Sequence, residues 1–390
     1  MVQEAYVNRE QAFVKHLVLR TYLQRLAMKV GHFKPGTTLN YLDGFSGPWD
    51  AVTENSTDSS PYIAAAELKK AQAILTGLPR PVRLSVRCMF VENDPAAFSR
   101  LQNVAGSFSD VDIVTFCGTF EAHIDDAVKF AGTGNNAFGF AFIDPTGWTG
   151  YGLEKITPLL RVRPSEVLIN FMTKDIIRFI DDANSSASHS FQDLFGEISY
   201  RDNWKGLEGL DREDAIVRRY CERIKSAGGF THCASAVIVN PGVDRTHYHL
   251  IYATRSLEGL VTFRDVERHA AETQKTLRGE VRARKEESTG QTLLFAQEKR
   301  DSGYVDFLRT RYRTTAKAGL LARLDRSGGA PYDDLLAEAL NHPFVSETVF
   351  KQILVELRSA GTIDIVGLKP RQRVPKRKSG VRVVLDRGNK

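Results

Sequence analysis

Acids recur at the ends of short apolar runs along this chain, and those are the residues that could do chemistry. Leu39 to Pro48, LNYLDGFSGP, runs through Leu39 and Tyr41 to Asp43 and then into a glycine turn at Gly44 and Gly47. A glycine there lets the backbone turn tightly and a ligand approach with no Cβ in the way. CMFVEND ends in Glu92 and Asp94, where a terminal acid can accept hydrogen bonds from two ribose hydroxyls. FGFAFIDPTGW ends in Asp144-Pro145 with Trp148 close behind. The sequence offers no Ser-His-Asp, Cys-His or HExxH constellation.

The elements that must position these acids read as buried parallel strands. Each apolar run is short and unalternating, as expected for strands covered on both faces. A third run, VDIVTFC, is followed by Gly118, Thr119 and Phe120, and a fifth, EVLINFM, follows the Asp144 run. CASAVIVN and YHLIYATRS add two more, the last pair antiparallel. The expectation is an α/β fold with a doubly wound, seven-stranded Rossmann-like sheet, its acids and glycines at one edge.

In this order, DGFSGP, Ser59 to Pro61, FVEND, FIDPTGW and INFM with Arg178 downstream resemble the three-Cys-motif partner (TcmP) family. The resemblance spans roughly the first two thirds of the chain. It implies a class I S-adenosylmethionine-dependent methyltransferase fold and a partner protein carrying a three-cysteine motif. On that basis Asp43, Gly44, Phe45 and Gly47 would line the methionine side of S-adenosylmethionine. Glu92, with Asp94 beside it, would hold the ribose, and Thr119 and Phe120 would border the adenine. The Asp144-Pro145 pair is similar to the motif of amino-directed nucleic-acid methyltransferases. There an acid and a backbone carbonyl accept from an exocyclic amine, and an aromatic, here Trp148, stacks on the base. Methyl transfer asks mainly for alignment and orientation, which suits the lack of a nucleophilic triad.

Other basic residues suggest contacts to nucleic acid, DNA or RNA. Lys174 and Arg178 lie four apart on one helix face after the fifth run; they could meet phosphates or pair with Asp175, Asp181 and Asp182. Lys15-His16 matches a lysine-led motif of the resembling family but reads equally as a solvated helix face. His247 and His249 alternate on a strand without a third ligand, so no metal site is expected.

Composition bounds the rest. The 390 residues suffice for two or three domains. No apolar run approaches the roughly 20 residues that cross a bilayer, and the N-terminus lacks a signal-peptide pattern, so a cytoplasmic protein without membrane contact is expected. The cysteines, Cys88, Cys117, Cys221 and Cys233, form no CxxC pair and read as reduced thiols. The net charge of +6 is local: nine Lys and Arg against one acid lie between Lys369 and Lys390, leaving 44 basic against 46 acidic residues elsewhere. Such a tail suits a phosphate backbone, or is simply a disordered basic tail.

Three domains are expected: 1–263 with the sheet, a charged helical linker over 264–315, and 316–390. The last reads as helix, turn, helix and a two-stranded ribbon, the winged-helix pattern. Its second helix would present Thr348 and Lys351 to a groove, and its wing Lys376, Arg377 and Lys378 to the backbone; a protein-interaction module is the other use of that pattern. The polar stretch 49–61 reads as a lid or substrate-contact loop. The function implied is methyl transfer to nucleic acid, on an exocyclic base amine; the alternative is a catalytically inactive nucleic-acid-binding scaffold retaining the fold.

Overall fold

The computed structural model describes residues 4–47, 51–53, 56–182, 185–288 and 301–386. Pro48, parts of the expected lid, at 49–50 and 54–55, and the end of the basic tail, 387–390, lie outside them. So does 289–300, within the expected linker. The chain divides into two compact units, 1–233 with 237–256, and 234–236 with 257–390.

The first unit is built on strands β1 (Thr37–Asp43), β2 (Leu84–Glu92), β3 (Asp112–Cys117), β4 (Phe138–Ile143), β5 (Ser165–Phe171), β6 (His232–Val239) and β7 (Thr246–Thr254). They form one sheet in the order β3-β2-β1-β4-β5-β7-β6. β1 pairs in parallel with both β2 and β4, and β7 runs antiparallel to β5. This is a Rossmann-like α/β fold with the strand order of methyltransferases. Every residue of β1 is buried, whereas the edge strand β3 is exposed or half-buried throughout. The run without alternation is thus a strand covered on both faces at β1, whereas the same pattern at β3 belongs to an edge strand that is not.

The strand order reverses between β1 and β4, and a ligand crevice lies outside the carboxyl ends of strands at such a point. Helices of this unit are α1 (Glu10–Phe33), α2 (Ser60–Thr76), α3 (Pro95–Gly106), α4 (Ile124–Ala131), α5 (Leu153–Leu160), α6 (Thr173–Phe179), α7 (Ser185–Phe195) and α8 (Gly209–Gly228). The buried face of α1 carries Val14, Val18, Leu19, Tyr22, Leu23 and Leu26, at helical spacing. That register brings the first turns of α1, with Lys15 and His16, to the reversal point.

The second unit contains α9 (Leu257–Ser288), α10 (Tyr304–Ser327), β8 (Gly329–Pro331), α11 (Tyr332–Ala339), α12 (Glu347–Ser359), β9 (Ile363–Val366) and β10 (Arg382–Leu385). Its sheet, β8-β10-β9, is antiparallel. The stretch expected as a linker thus contributes α9 and part of α10 to this unit, and the division falls after Ser256. Ser346 caps α12 by accepting from Val349 N, and Phe350, Ile353, Leu354 and Leu357 form its buried face. Among the described residues no helix is long and apolar enough to cross a membrane.

Candidate functional site

At the reversal point the ends of β1, β2 and β4 open into a cleft of about 620 Å³, within the roughly 300–1,000 Å³ usual for small-molecule sites. Gly44, Phe45, Gly47, Glu92, Thr119, Phe120, Asp144 and Pro145 all line it. The strand ends thus bring together residues that are up to a hundred positions apart in sequence.

The turn after β1 is held by main-chain bonds to both neighbouring strands: Gly44 N donates to Phe142 O and Ser46 N to Val91 O. A Cβ on Gly44 would sit 2.8 Å from the Phe120 ring, so only glycine lets that ring lie against the backbone. Phe45 packs on Phe120 with centroids 5.7 Å apart.

Asp43 was expected in the wall of the cleft and lies beneath it. It is fully buried, with Oδ1 accepting from Phe45 N at 3.0 Å and Oδ2 from Ser60 Oγ at 2.8 Å. Its role is to tie the glycine turn to the start of α2. Burial raises its pKa to about 7, with the Asp144 charge adding to the rise and the Ser60 and Phe45 hydrogen bonds opposing it. A carboxyl whose folded pKa is raised binds a proton that the unfolded chain has released, so stability falls as pH rises. The window runs from about pH 4 to about pH 7, at a slope of on the order of 1.4 kcal/mol per pH unit. Asp43→Asn should lose this contribution to the pH dependence, which denaturant melts of both proteins across that window would measure.

Glu92 ends β2 almost fully buried. Its Oε1 accepts from Asp94 N at 2.7 Å, and among the described residues Oε2 has no protein partner. Asp94, expected beside Glu92 in holding a cofactor, instead caps α3: its side chain accepts from Ala97 N at 2.7 Å, and Pro95 occupies the first turn. Asn93 lines the cleft instead. Thr119 caps the short turn that follows it, accepting from Ala122 N.

Asp144 is held from two sides. Lys15 Nζ donates to Oδ2 at 2.5 Å, and Asn170 Nδ2 to Oδ1 at 2.7 Å. Lys15 and Asp144 side chains are 15% and 11% exposed, which makes this an ion pair largely withdrawn from water yet open to the cleft. His16 and His247 also line the cleft. Burial pushes the His16 pKa well below its usual value, with Lys15 and Arg9 adding to the effect. Burial and then the nearby Lys174 lower that of His247. Both imidazoles are neutral at physiological pH as a result.

Trp148 departs from expectation. Its ring stacks on Phe191 at 5.2 Å and lies against Phe179 at 5.3 Å, and its Nε1 donates to Ser190 Oγ at 2.9 Å. The indole faces an aromatic cluster around α7 and does not line the cleft; Thr146 does. Lys174 and Arg178 are exposed on α6, with the Arg178 guanidinium 4.9 Å from the Phe179 ring. His249 is buried with Nδ1 2.7 Å from Thr173 Oγ1, and no group of three or more His, Cys, Asp or Glu among the described residues could hold a metal ion.

In the second unit Thr348, Lys376 and Lys378 are exposed. Lys351 pairs with Glu347 at 2.7 Å, and Arg377 with both Glu258 and Glu347. Lys378 Nζ also lies 3.8 Å from Glu258, so three of the expected phosphate contacts are engaged within the unit itself.

No protein-family model matches the chain. A search of curated proteins likewise finds no match. Among solved structures, protein LPL1258 from Legionella pneumophila, of the family DUF519, is 9% identical with a TM-score of 0.36, over 61% of this chain and 84% of that one. Loganic acid methyltransferase with SAH is 7% identical with a TM-score of 0.31, over 70% of this chain and 88% of that one. The methyltransferase-like fold follows from the strand order of this chain, with β7 reversed beside β5, and not from those likenesses.

Proposed function

We propose that the chain is an S-adenosylmethionine-dependent methyltransferase acting on nucleic acid, with an exocyclic base amine as acceptor. The observation that carries this is the pairing of Glu92 and Asp144 across one cleft at the strand-order reversal. The residues fit the cofactor: Glu92 Oε2 is open to a ribose, and Gly44 leaves room for close backbone approach. S-adenosylmethionine, when bound, supplies an electrophilic methyl group.

On this reading Gly44, Phe45 and Gly47 border the methionine, Glu92 accepts from the ribose hydroxyls, and Thr119 and Phe120 border the adenine. Asp144 accepts an N–H of the incoming amine and orients it, with the Pro145 carbonyl as second acceptor. Lys15 and Asn170 hold the carboxylate still. The low exposure of Asp144, 11%, and Tyr248, whose hydroxyl donates to Gln11 O at 2.6 Å and which lines the cleft, would limit water at the contact.

The second unit supports the nucleic-acid part. The order helix, strand, helix, helix, strand, strand with the sheet order β8-β10-β9 supports reading it as a winged helix. Thr348 on α12 would face a groove, and Lys376 and Lys378 the phosphates. Lys174 and Arg178 would serve phosphates beside the cleft. The motif resemblance extends the proposal to a partner protein with a three-cysteine motif.

The test is incubation of the full chain with methyl-labelled S-adenosylmethionine and, separately, DNA or RNA. Label in one nucleic acid, on a base, is the expected result. A folded protein that binds nucleic acid but no cofactor would overturn the reading in favour of a scaffold that keeps the fold.

A further inference from the structure

Lys15 and Asp144 each retain hydrogen-bonding capacity where they meet. A carboxylate offers about four lone-pair sites, and Asp144 accepts one bond on each oxygen, from Lys15 and from Asn170. An ammonium has three N–H groups and no acceptor. Among the described residues the Lys15 ammonium bonds to Asp144 and to no other acceptor. Both side chains line the cleft. The wall therefore presents an acceptor and a donor side by side, in contact at 2.5 Å, and each is fixed by the other.

That order of groups matches one kind of base edge. An exocyclic amine donates, and the ring nitrogen beside it on the Watson–Crick edge accepts, in adenine and in cytosine. A carbonyl in place of the amine, as in thymine or uracil, would set acceptor against acceptor at Asp144. Extruded bases are read along this edge.

We propose that Lys15 is the specificity-determining residue of the site: while Asp144 accepts from the exocyclic amine, Lys15 donates to the adjacent ring nitrogen, N1 of adenine or N3 of cytosine. The inference rests on the methyltransferase reading and adds to it the class of base. Lys15 acts here as a reader of the base, a role separate from holding Asp144.

The test is a binding measurement on the full chain saturated with S-adenosylhomocysteine, so that nucleosides do not enter the cofactor place. Adenosine, 1-deazaadenosine, cytidine and 3-deazacytidine are titrated and followed by saturation-transfer NMR. A bond from a charged donor predicts that one natural nucleoside binds at least about tenfold more tightly than its deaza analogue. In Lys15→Met that difference should vanish while affinity for S-adenosylhomocysteine is kept. Equal binding of natural and deaza nucleosides by the wild type overturns the proposal, a comparison that needs no variant to fold. So does a difference that persists in Lys15→Met, or the absence of any nucleoside binding by protein that holds S-adenosylhomocysteine. Failure to bind S-adenosylhomocysteine at all would instead overturn the methyltransferase reading beneath it.

Discussion

Asp144→Ala should bind S-adenosylmethionine as the wild type does and lose methyl transfer by at least about 10²-fold, the scale on which small misplacements of reacting groups act. The carboxylate stands at the end of β4 across the cleft from Glu92, and no part of it is expected to touch the cofactor's ribose or methionine. Its loss removes the acceptor that orients the amine. It also removes the partner of two donors, Lys15 Nζ and Asn170 Nδ2. Leaving such groups without an acceptor costs about 1–3 kcal/mol, so the variant should also unfold at lower denaturant. Asp144→Asn separates the two effects: it keeps an oxygen for one donor and an acceptor for the amine, and should recover part of both. Calorimetry for the cofactor and single-turnover transfer for the chemistry are the measurements. Transfer that survives in Asp144→Ala with unchanged rate would show that another residue orients the acceptor.

What could be read from the sequence was whatever depends on a residue's near neighbours. Central strands were legible because burial on both faces removes alternation, and the acids that close β2 and β4 were legible because they end such runs. The Asp94-Pro95 pair carried the signature of a helix start, an acid followed by proline, and the structure uses Asp94 in that way; proximity to Glu92 had suggested a ligand instead. Contacts across the fold were not legible. Lys15 meets Asp144 from 129 residues away, and nothing in a Lys-His pair on a helix announces a partner. Trp148 was misread for the same reason, since Ser190 and Phe191, which hold its ring, belong to α7. Asp43 stands at the end of a strand like Glu92, yet it points under the turn because Ser60 of α2 and Phe45 N take both of its oxygens. The polarity of a strand end can be read locally, but whether its side chain faces ligand or backbone depends on the helix that follows.

Glu92→Ala is expected to have the largest effect on the cofactor. The residue is 5% exposed, and the local backbone takes only one of its oxygens, through Asp94 N. Two ribose hydroxyls donating to the carboxylate would each be worth about 1.5–3 kcal/mol, as hydrogen bonds to a charged group are. Their joint loss corresponds to a drop in affinity of about 10²-fold or more. The fold should tolerate the change, because the bond given up to Asp94 N is local and α3 keeps its cap at Ala97 N. Glu92→Gln is the informative companion: it keeps the size and an acceptor but not the charge, and should fall between the two. Titration calorimetry with S-adenosylmethionine on the three proteins, each checked for an unchanged melt, gives the answer directly. An affinity that does not respond to Glu92→Ala would mean that the ribose lies elsewhere. The cleft would then have to be read from Asp144 and Lys15 alone, as a site for a base edge without the cofactor placed beside it.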